Sequence, residues 1–237
     1  RLAYFASQDT NNAAKSTETS TGTITDNFTQ STSGNQPTHK LRDNTHASLN
    51  RGASAIECDG SDFMSTGTTR TIGGTGGSYS IVIAWTNGDY TNDTWLISGT
   101  SNDAHWGIKA GGGDVIYSAN GTKAAAAERD YPTDSTANST TSYTFGSDVE
   151  MLAIVMDATS GTTVCDIYNI DGDKIADADA VNSAGLSTAF PIDHVIGKSD
   201  GTKGLNGSLL DVVVCNGKAL TVNQVKAFGN LYKQMKD

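Results

Sequence analysis

Residues 204–235 read GLNGSLLDVVVCNGKALTVNQVKAFGNLYKQM and contain the most regular pattern in the chain. Within them, Leu209–Cys215 is an apolar run rich in β-branched residues, which is typical of a well-buried strand. A turn follows, and then Thr221 and Gln224 have the spacing of a capping box, which predicts a helix that begins at Val222. The pattern therefore predicts a buried strand that leads directly into one amphipathic C-terminal helix.

The upstream sequence contains further strand patterns, separated by turns rich in Gly, Asn and Asp. The longest of these apolar runs are Tyr79–Thr86 and Val149–Asp157. In total we expect about ten to twelve short strands, one terminal helix and no alternation of strands with helices. This order predicts an all-β protein, a jelly-roll β-sandwich of two antiparallel sheets with one short C-terminal helix.

The N-terminal region has a different composition from the rest of the chain. Ser7–Thr25 consists almost entirely of small polar residues. We therefore expect residues 1–25 to form a polar arm or loop, exposed or docked on a neighbour, and residues 26–237 to form a single sandwich domain.

Charge and composition exclude some classes of partner. The formal net charge is −10, and 36% of the residues are hydrophobic. Nucleic acids and anionic membrane surfaces attract clustered Lys and Arg, so we expect neither as a partner. The three cysteines, Cys58, Cys165 and Cys215, lack metal-type spacing, which leaves buried thiols or one disulfide as alternatives.

Several segments, taken in order, resemble the concanavalin A-like lectin/glucanase superfamily. DNFTQSTSGNQPT (26–38) and ASAIECDGSDFM (53–64) are similar to the opening of its laminin-G-like domains, and SYSIVIAWTN (78–87) is similar to their first long strand. VEMLAIVMDATSGTTVCDIYNIDGDKI (149–175) resembles the central hairpin. The run IGKSDGTKGLNGSLLDVVVCNGKALTVNQVKAFGNLY (196–232) resembles the closing strand and helix.

Laminin-G-like domains of this kind occur in phage structural proteins and in bacterial surface proteins. The resemblance implies an exterior virion protein of a bacteriophage, either a head decoration or a tail-associated adhesin, located on the virion surface or outside the cell. The implied partners are other virion or surface-assembly proteins, cell-surface glycans and further copies of the chain. The alternatives are a lectin-like carbohydrate-binding domain of a bacterial extracellular protein and a divergent glycosidase.

The glutamates argue against an enzyme. Retaining glycosidases of the resembled fold place Glu, Asp and Glu on alternate residues of one strand. Glu18, Glu57, Glu128 and Glu150 are the only glutamates, and none of them lies in such a triplet. We therefore expect a non-enzymatic protein, with an Asp-based catalytic pair as the remaining alternative.

Two similar motifs, Asn-Asp-Thr-Trp ending at Trp95 and Asn-Asp-Ala-His-Trp ending at Trp106, are candidates for ligand binding. A Trp ring can stack on a sugar while Asp or His side chains hydrogen-bond its hydroxyls. The candidate ligand-binding residues are therefore Trp95, Asp103, His105 and Trp106. The alternative is that both Trp side chains pack in the core, because both begin strands.

Calcium is the candidate cofactor, since relatives of the resembled fold often hold it with aspartates and backbone carbonyls. Calcium prefers six to eight oxygen ligands. The candidate ligands are Asp157, Asp171 and Asp173, with Asp177 and Asp179 just beyond them. The alternative is that these aspartates form turns and keep solvated carboxylates.

Overall fold

The computed structural model describes residues 2–5, 15–16, 28–29, 38–41, 54–73, 77–99, 104–118, 129–131, 143–158, 164–179, 189–198 and 201–235. These residues contain sixteen strands and one helix: β1 Leu2–Phe5, β2 Lys15–Ser16, β3 Phe28–Thr29, β4 Thr38–Leu41, β5 Ser54–Asp59, β6 Met64–Gly73, β7 Tyr79–Asp89, β8 Thr94–Gly99, β9 Ala104–Ile108, β10 Val115–Ser118, β11 Arg129–Tyr131, β12 Glu150–Asp157, β13 Val164–Tyr168, β14 Lys174–Asp179, β15 Ala189–Val195, β16 Asn206–Asn216 and α1 Val222–Lys233.

The strands form two eight-stranded sheets. The first sheet has the order β14-β13-β12-β7-β16-β5-β4, and β1 also pairs with β16; the second has the order β11-β10-β9-β8-β15-β6-β3-β2. Every strand pair with a described register is antiparallel. The predicted all-β jelly-roll sandwich of two antiparallel sheets with one short C-terminal helix is confirmed.

Strands β7 and β16 are buried on both faces. Ile81, Ile83 and Val212 belong to the cluster between the sheets, whereas Val82 and Val213 belong to a second cluster beneath α1. Because residues along a strand alternate between faces, a strand covered on both sides needs apolar residues at almost every position. This explains why both strands are almost continuously apolar in sequence, with Ser80 and Asp211 among the buried polar exceptions.

Helix α1 begins as the capping box predicts. The Thr221 side chain accepts a hydrogen bond from the Gln224 backbone, and the Gln224 side chain accepts one from the Thr221 backbone. The face that contacts the first sheet contains Val225, Gly229 and Tyr232. The Tyr232 hydroxyl donates to the buried carboxylate of Asp211 at 2.8 Å, which fixes the helix on β16.

None of the described helical residues forms a segment long and apolar enough to span a bilayer.

The described parts of the N-terminal region are strands in the sheets. Leu2–Phe5 pairs with β16, and Lys15–Ser16 pairs with β3. The remaining residues of the predicted arm lie outside the described residues, so its boundary at residue 25 stays a prediction.

Cys58, Cys165 and Cys215 are all free thiols, and the first two are buried.

Replacing Gly229 with Ala should destabilise the protein, although Ala favours helices by about 1 kcal/mol over Gly. A Cβ at this position would lie 2.0 Å from the Ile170 carbonyl oxygen, so the helix would have to move off the sheet. We expect Gly229→Ala to lower the free energy of unfolding by about 2 kcal/mol in urea denaturation. The exposed control Asn230→Ala should leave it unchanged or raise it slightly. A more stable Gly229→Ala variant would contradict the described helix position.

Candidate functional site

Three connections meet at one end of the sandwich and enclose a cleft of about 590 Å³. They join β5 to β6, β7 to β8, and β15 to β16. We call this the loop-end cleft. Apart from two glycines its lining residues carry polar side chains, and they are Asp59, Gly60, Ser61, Asp89, Thr91, Asn92, Asp93, Thr94, Thr202, Lys203, Gly204 and Asn206.

A row of three polar side chains crosses the first sheet at the cleft. Asn206 in β16 lies opposite Asp59 in β5 on one side and opposite Asp89 in β7 on the other. Residues directly opposite in a sheet share a face, with Cβ atoms about 5 Å apart. All three are exposed, and the Asn206 Nδ2 donates to Asp89 Oδ2 at 3.1 Å. The sheet register thus aligns two carboxylates and an amide.

The turns after β5 and β7 hold the two carboxylates in the same way. Asp59 Oδ1 accepts hydrogen bonds from the Ser61 hydroxyl at 2.6 Å and the Ser61 backbone N–H at 2.9 Å. Asp89 Oδ1 accepts from the Thr91 hydroxyl at 2.7 Å and the Thr91 backbone N–H at 3.0 Å. These bonds, from Ser61 and Thr91 respectively, lower the pKa of each carboxyl. Both are therefore ionised at neutral pH.

A third carboxylate of the cleft is neutralised by an ion pair. Lys203 Nζ lies 2.7 Å from Asp93 Oδ2, and the Ala110 backbone N–H donates to Asp93 Oδ1 at 3.0 Å. Burial acts to raise the pKa of Asp93, but the hydrogen bonds from Lys203 and Ala110 outweigh it and the pKa is lowered. The uncompensated negative charge of the cleft therefore comes from Asp59 and Asp89.

Two glycines allow the loops below the cleft to touch. The Gly204 N–H donates to the Gly60 carbonyl at 3.0 Å, and the Gly60 N–H donates to the Leu205 carbonyl at 3.1 Å. A Cβ on Gly204 would lie 2.5 Å from the Gly60 oxygen, and Gly60 has φ = +88°. Side chains at these positions would separate the β5–β6 turn from β16.

Asp62 supports the cleft from beneath. Its side chain is buried, and its Oδ2 accepts a hydrogen bond from the Asp59 backbone N–H at 2.9 Å. Burial raises the pKa of Asp62 to about 6. Asp62 therefore positions the turn that holds Asp59, although it does not line the cleft.

The tryptophans predicted for ligand binding are buried. Trp95, His105 and Trp106 are 2%, 2% and 0% exposed. The rings of Trp95 and His105 stack at 4.0 Å, whereas Trp106 packs on Tyr117 at 4.1 Å within the cluster between the sheets. The position of Trp106 favours the core alternative, whereas Trp95 is buried against His105 and belongs to neither hydrophobic cluster. Asp103 lies outside the described residues, and the ligand-binding role of the four residues stays a prediction.

The predicted calcium ligands do not form one cluster, because Asp157 lies apart from Asp171 and Asp173, which share a turn. Asp157 lies opposite Val164 at one end of the β12–β13 hairpin, and Asp171 lies in the turn beyond its other end. The five residues of β13 separate these ends by about 13 Å. Asp171 pairs with Lys233, and the Asp157 carboxylate accepts from the Ser78 hydroxyl at 3.3 Å. The described residues contain no group of three or more His, Cys, Asp or Glu side chains placed to hold a metal ion.

The two glutamates that the structure describes lie far apart. Glu57 is exposed on β5, whereas Glu150 is buried on β12 and accepts hydrogen bonds from Tyr143 at 2.6 Å and Gly146 at 2.8 Å. Strands β7 and β16 lie between them, a separation of about 14 Å. This exceeds the spacing of a glycosidase carboxyl pair, which is at most about 9.5 Å.

The residues that line the cleft were not predicted as a site. Asp59-Gly60, Gly88-Asp89 and Asn206-Gly207 each place a polar side chain beside a glycine at a strand end. Separately, each is an ordinary turn signal. Only the register of β5, β16 and β7 brings them together.

No family model and no curated protein matches the chain. Among solved structures, it aligns with a heptameric SAP-like pentraxin from Limulus polyphemus at 14% identity and a TM-score of 0.45, covering 67% of this chain and 70% of the pentraxin. It also aligns with the CBM40 of a Ruminococcus gnavus IT-sialidase at 14% identity and a TM-score of 0.45, covering 65% and 83%. A Trypanosoma rangeli sialidase aligns at 10% identity and a TM-score of 0.47, covering 81% of this chain and 29% of the sialidase. Likenesses this distant do not establish a shared ligand or activity.

The raised pKa of Asp62 has a consequence for stability. In the unfolded chain this carboxyl titrates near 3.8, so between about pH 4 and about pH 6 the folded state binds more protons and its stability falls as pH rises. Asp62→Asn should remove this loss while keeping an acceptor for the Asp59 N–H. In urea denaturation, the stability of the variant minus that of the wild type should increase across this pH window and then level off. A difference that stays constant with pH would contradict the burial of an ionisable carboxyl here.

Proposed function

We propose that this protein is a non-enzymatic recognition module that binds a glycan in the loop-end cleft. The observation that carries the proposal is the row of Asp59, Asn206 and Asp89 across one end of the first sheet. Rigid neighbouring strands hold the row, and the turn hydrogen bonds of Ser61 and Thr91 fix the carboxylates. A polyhydroxylated ligand suits such a surface, because its hydroxyl groups can donate to carboxylates and accept from amides.

The charge of the cleft determines which charge a bound glycan can carry. Asp59 and Asp89 are held ionised, and Lys203 is paired with Asp93. A sugar that carries a carboxylate or sulfate would be repelled by the two uncompensated charges. The cleft therefore favours neutral glycans or those with an amino group.

The same electrostatics supports binding without hydrolysis. A glycosidase needs one protonated carboxyl to act as general acid, with its pKa raised towards neutrality. Asp59 and Asp89 lie two strand spacings apart, about 10 Å, but their hydrogen bonds lower the pKa of both. Neither carboxyl is suited to protonate a leaving group.

We place the module on the exterior of a bacteriophage particle, as a head decoration or tail-associated adhesin. The sequence resemblance to laminin-G-like domains of phage structural proteins supports this location. A carbohydrate-binding domain of a bacterial extracellular protein is the alternative, with the same cleft and ligand.

Cryo-electron microscopy of particles from the source would show the sandwich at fixed surface positions if the proposed location is right. Its absence from particles, with presence in the secreted or cell-wall fraction, would favour the alternative.

Glycan binding is tested on an array that contains neutral, amino and sialylated glycans, followed by calorimetry with the best ligand. Asn206→Ala removes the centre of the row and should weaken binding about tenfold, because hydrogen bonds among charged and polar groups would be lost. Asn223→Ala, an exposed position on α1, is the matched control and should bind like the wild type. We expect neutral or amino glycans to bind better than sialylated ones.

Three outcomes would overturn the proposal. The first is an array on which the folded protein binds nothing, and the second is an Asn206→Ala variant with unchanged affinity. The third is steady release of reducing sugar from the bound glycan, which would identify a glycosidase instead.

A further inference from the structure

Asp62 is a buried carboxyl directly behind the wall of the loop-end cleft. It follows Ser61, which lines the cleft, and is itself 5% exposed. Its Oδ2 accepts a hydrogen bond from the Asp59 backbone N–H at 2.9 Å. Asp62 is thus attached to one of the two residues whose ionised carboxylates face the cleft.

The β15–β16 connection packs closely on the backbone of Asp62. A Cβ on Gly197 would lie 2.6 Å from the Asp62 carbonyl oxygen, and a Cβ on Gly204 would lie 2.9 Å from the same atom. Gly204 also lines the cleft. Asp62 is therefore enclosed where the two connections meet, and water screens its charge less than that of an exposed carboxylate.

The acidic groups that act on Asp62 lie on β5. Burial raises the pKa of Asp62 to about 6, and the negative charges of Asp59 and Glu57 act in the same direction. The neighbouring Cys58 thiol stays neutral, because burial raises its pKa well above the ordinary value. Asp62 therefore changes from neutral to charged near pH 6, whereas Cys58 does not.

The described lysines of the β15–β16 connection are engaged with other groups. Lys203 Nζ pairs with Asp93 Oδ2 at 2.7 Å. Lys198 Nζ lies over the Trp95 ring, 5.4 Å from its centre. Each of these contacts directs the ammonium group to a partner on the β7–β8 connection or on β8, so neither contact neutralises Asp62.

We propose that Asp62 makes the binding of cationic glycans in the loop-end cleft dependent on pH, with tighter binding near pH 7 than near pH 5. The inference rests on the proposed glycan binding by the cleft. At the lower pH, Asp59 and Asp89 attract the cation without help, because Asp62 is mostly protonated. At the higher pH, the buried charge of Asp62 adds to theirs. By linkage, a bound cation also favours the ionised form of Asp62.

The two carboxylates that face the cleft do not produce this pH dependence themselves. Hydrogen bonds from Ser61 and Thr91 lower the pKa of Asp59 and Asp89, respectively. Both carboxyls are therefore already ionised at about pH 5 and do not change charge above it.

A histidine is the competing source of a pH dependence, because histidine side chains change charge in the same range. His194 packs edge-on against Phe63, the residue after Asp62, with 5.3 Å between the ring centres. Its Nδ1 is paired with the Asp193 carboxylate. The test must therefore separate Asp62 from His194.

Two small glycosides that differ in one group test the inference. Methyl glucoside is the neutral probe, and the analogue in which an amino group replaces its primary hydroxyl is the cationic probe. The affinity of the full chain for each is measured at about pH 5 and about pH 7 from the amide chemical shifts of Asp59 and Asn206; an alkyl amine stays largely protonated at both. We expect the cationic probe to bind about threefold to tenfold more tightly at the higher pH. The affinity of the neutral probe should change by less than about twofold.

Two substitutions identify the group responsible. Asp62→Asn keeps an acceptor for the Asp59 N–H but removes the charge, so its affinity for the cationic probe should be the same at both pH values within about twofold. His194→Gln is the matched control and should keep the wild-type pH dependence. Carboxyl-carbon NMR of the wild-type protein adds a test without substitutions. The cationic probe should lower the pKa of Asp62, and the neutral probe should leave it unchanged.

Equal affinity of the wild type for the cationic probe at both pH values would overturn the inference and leave the proposed function standing. A pH dependence that Asp62→Asn retains, or that His194→Gln abolishes, would do the same. An equal change for both probes would also overturn it, because the turn rather than its charge would then respond to pH. If neither probe binds at either pH, the inference fails, and the glycan array decides separately whether the cleft binds another sugar.

Discussion

The backbone pairing of β16 with β7 is the constraint on which the rest of the structure depends. The two strands pair from Asn206 opposite Asp89 to Asn216 opposite Tyr79. Their central residues are buried both between the sheets and beneath α1. Loss of this pairing would leave backbone N–H and C=O groups without partners in an apolar environment, which costs more than any surface contact gains. Strands β5 and β1 pair with β16, and β12 pairs with β7 on the other side.

The loop-end cleft is built at the start of β16, and helix α1 follows the other end of the strand. At its start, the register places Asn206 between Asp59 and Asp89, and irregular pairing follows between Asn206 and Ser208. A bulge at a strand end increases the local twist and redirects side chains, which suits a recognition site. Beyond its other end, the Ser80 hydroxyl donates to the Lys218 carbonyl at 3.0 Å and accepts from the Leu220 N–H at 2.9 Å. Strand β16 thereby fixes the cleft, and its partner β7 holds the segment that leads into the helix.

The sequence predicted the closing strand and helix well, because their signals are local. The spacing of Thr221 and Gln224 specifies the helix start, and the apolar run of β16 specifies burial on both faces. Strand β6 has a weak sequence signal, because Met64–Gly73 is rich in Thr, Ser and Gly and contains few apolar residues. The sequence could not predict on which face of the sheet Trp95 lies. The irregular pairing between Trp95 and Ile97 breaks the alternation of faces along β8.

The candidate site could not be predicted, because it depends on register between strands that are distant in sequence. Asp59, Asp89 and Asn206 each form an ordinary turn signal, and nothing local distinguishes them from other turn residues. Their alignment follows only from how β5 and β7 pair with β16. The sequence left two alternatives for Trp95 and Trp106, ligand binding or packing, because an aromatic residue at the start of a strand can serve either.

Native-state amide hydrogen exchange, measured residue by residue, tests the central role of β16 most directly. If the account is right, the amides of Leu209–Val214 and of their partners in β7 are the slowest in the protein and exchange only through global unfolding. Exchange of these amides by local opening, faster than that of amides in β9 or β10, would contradict it.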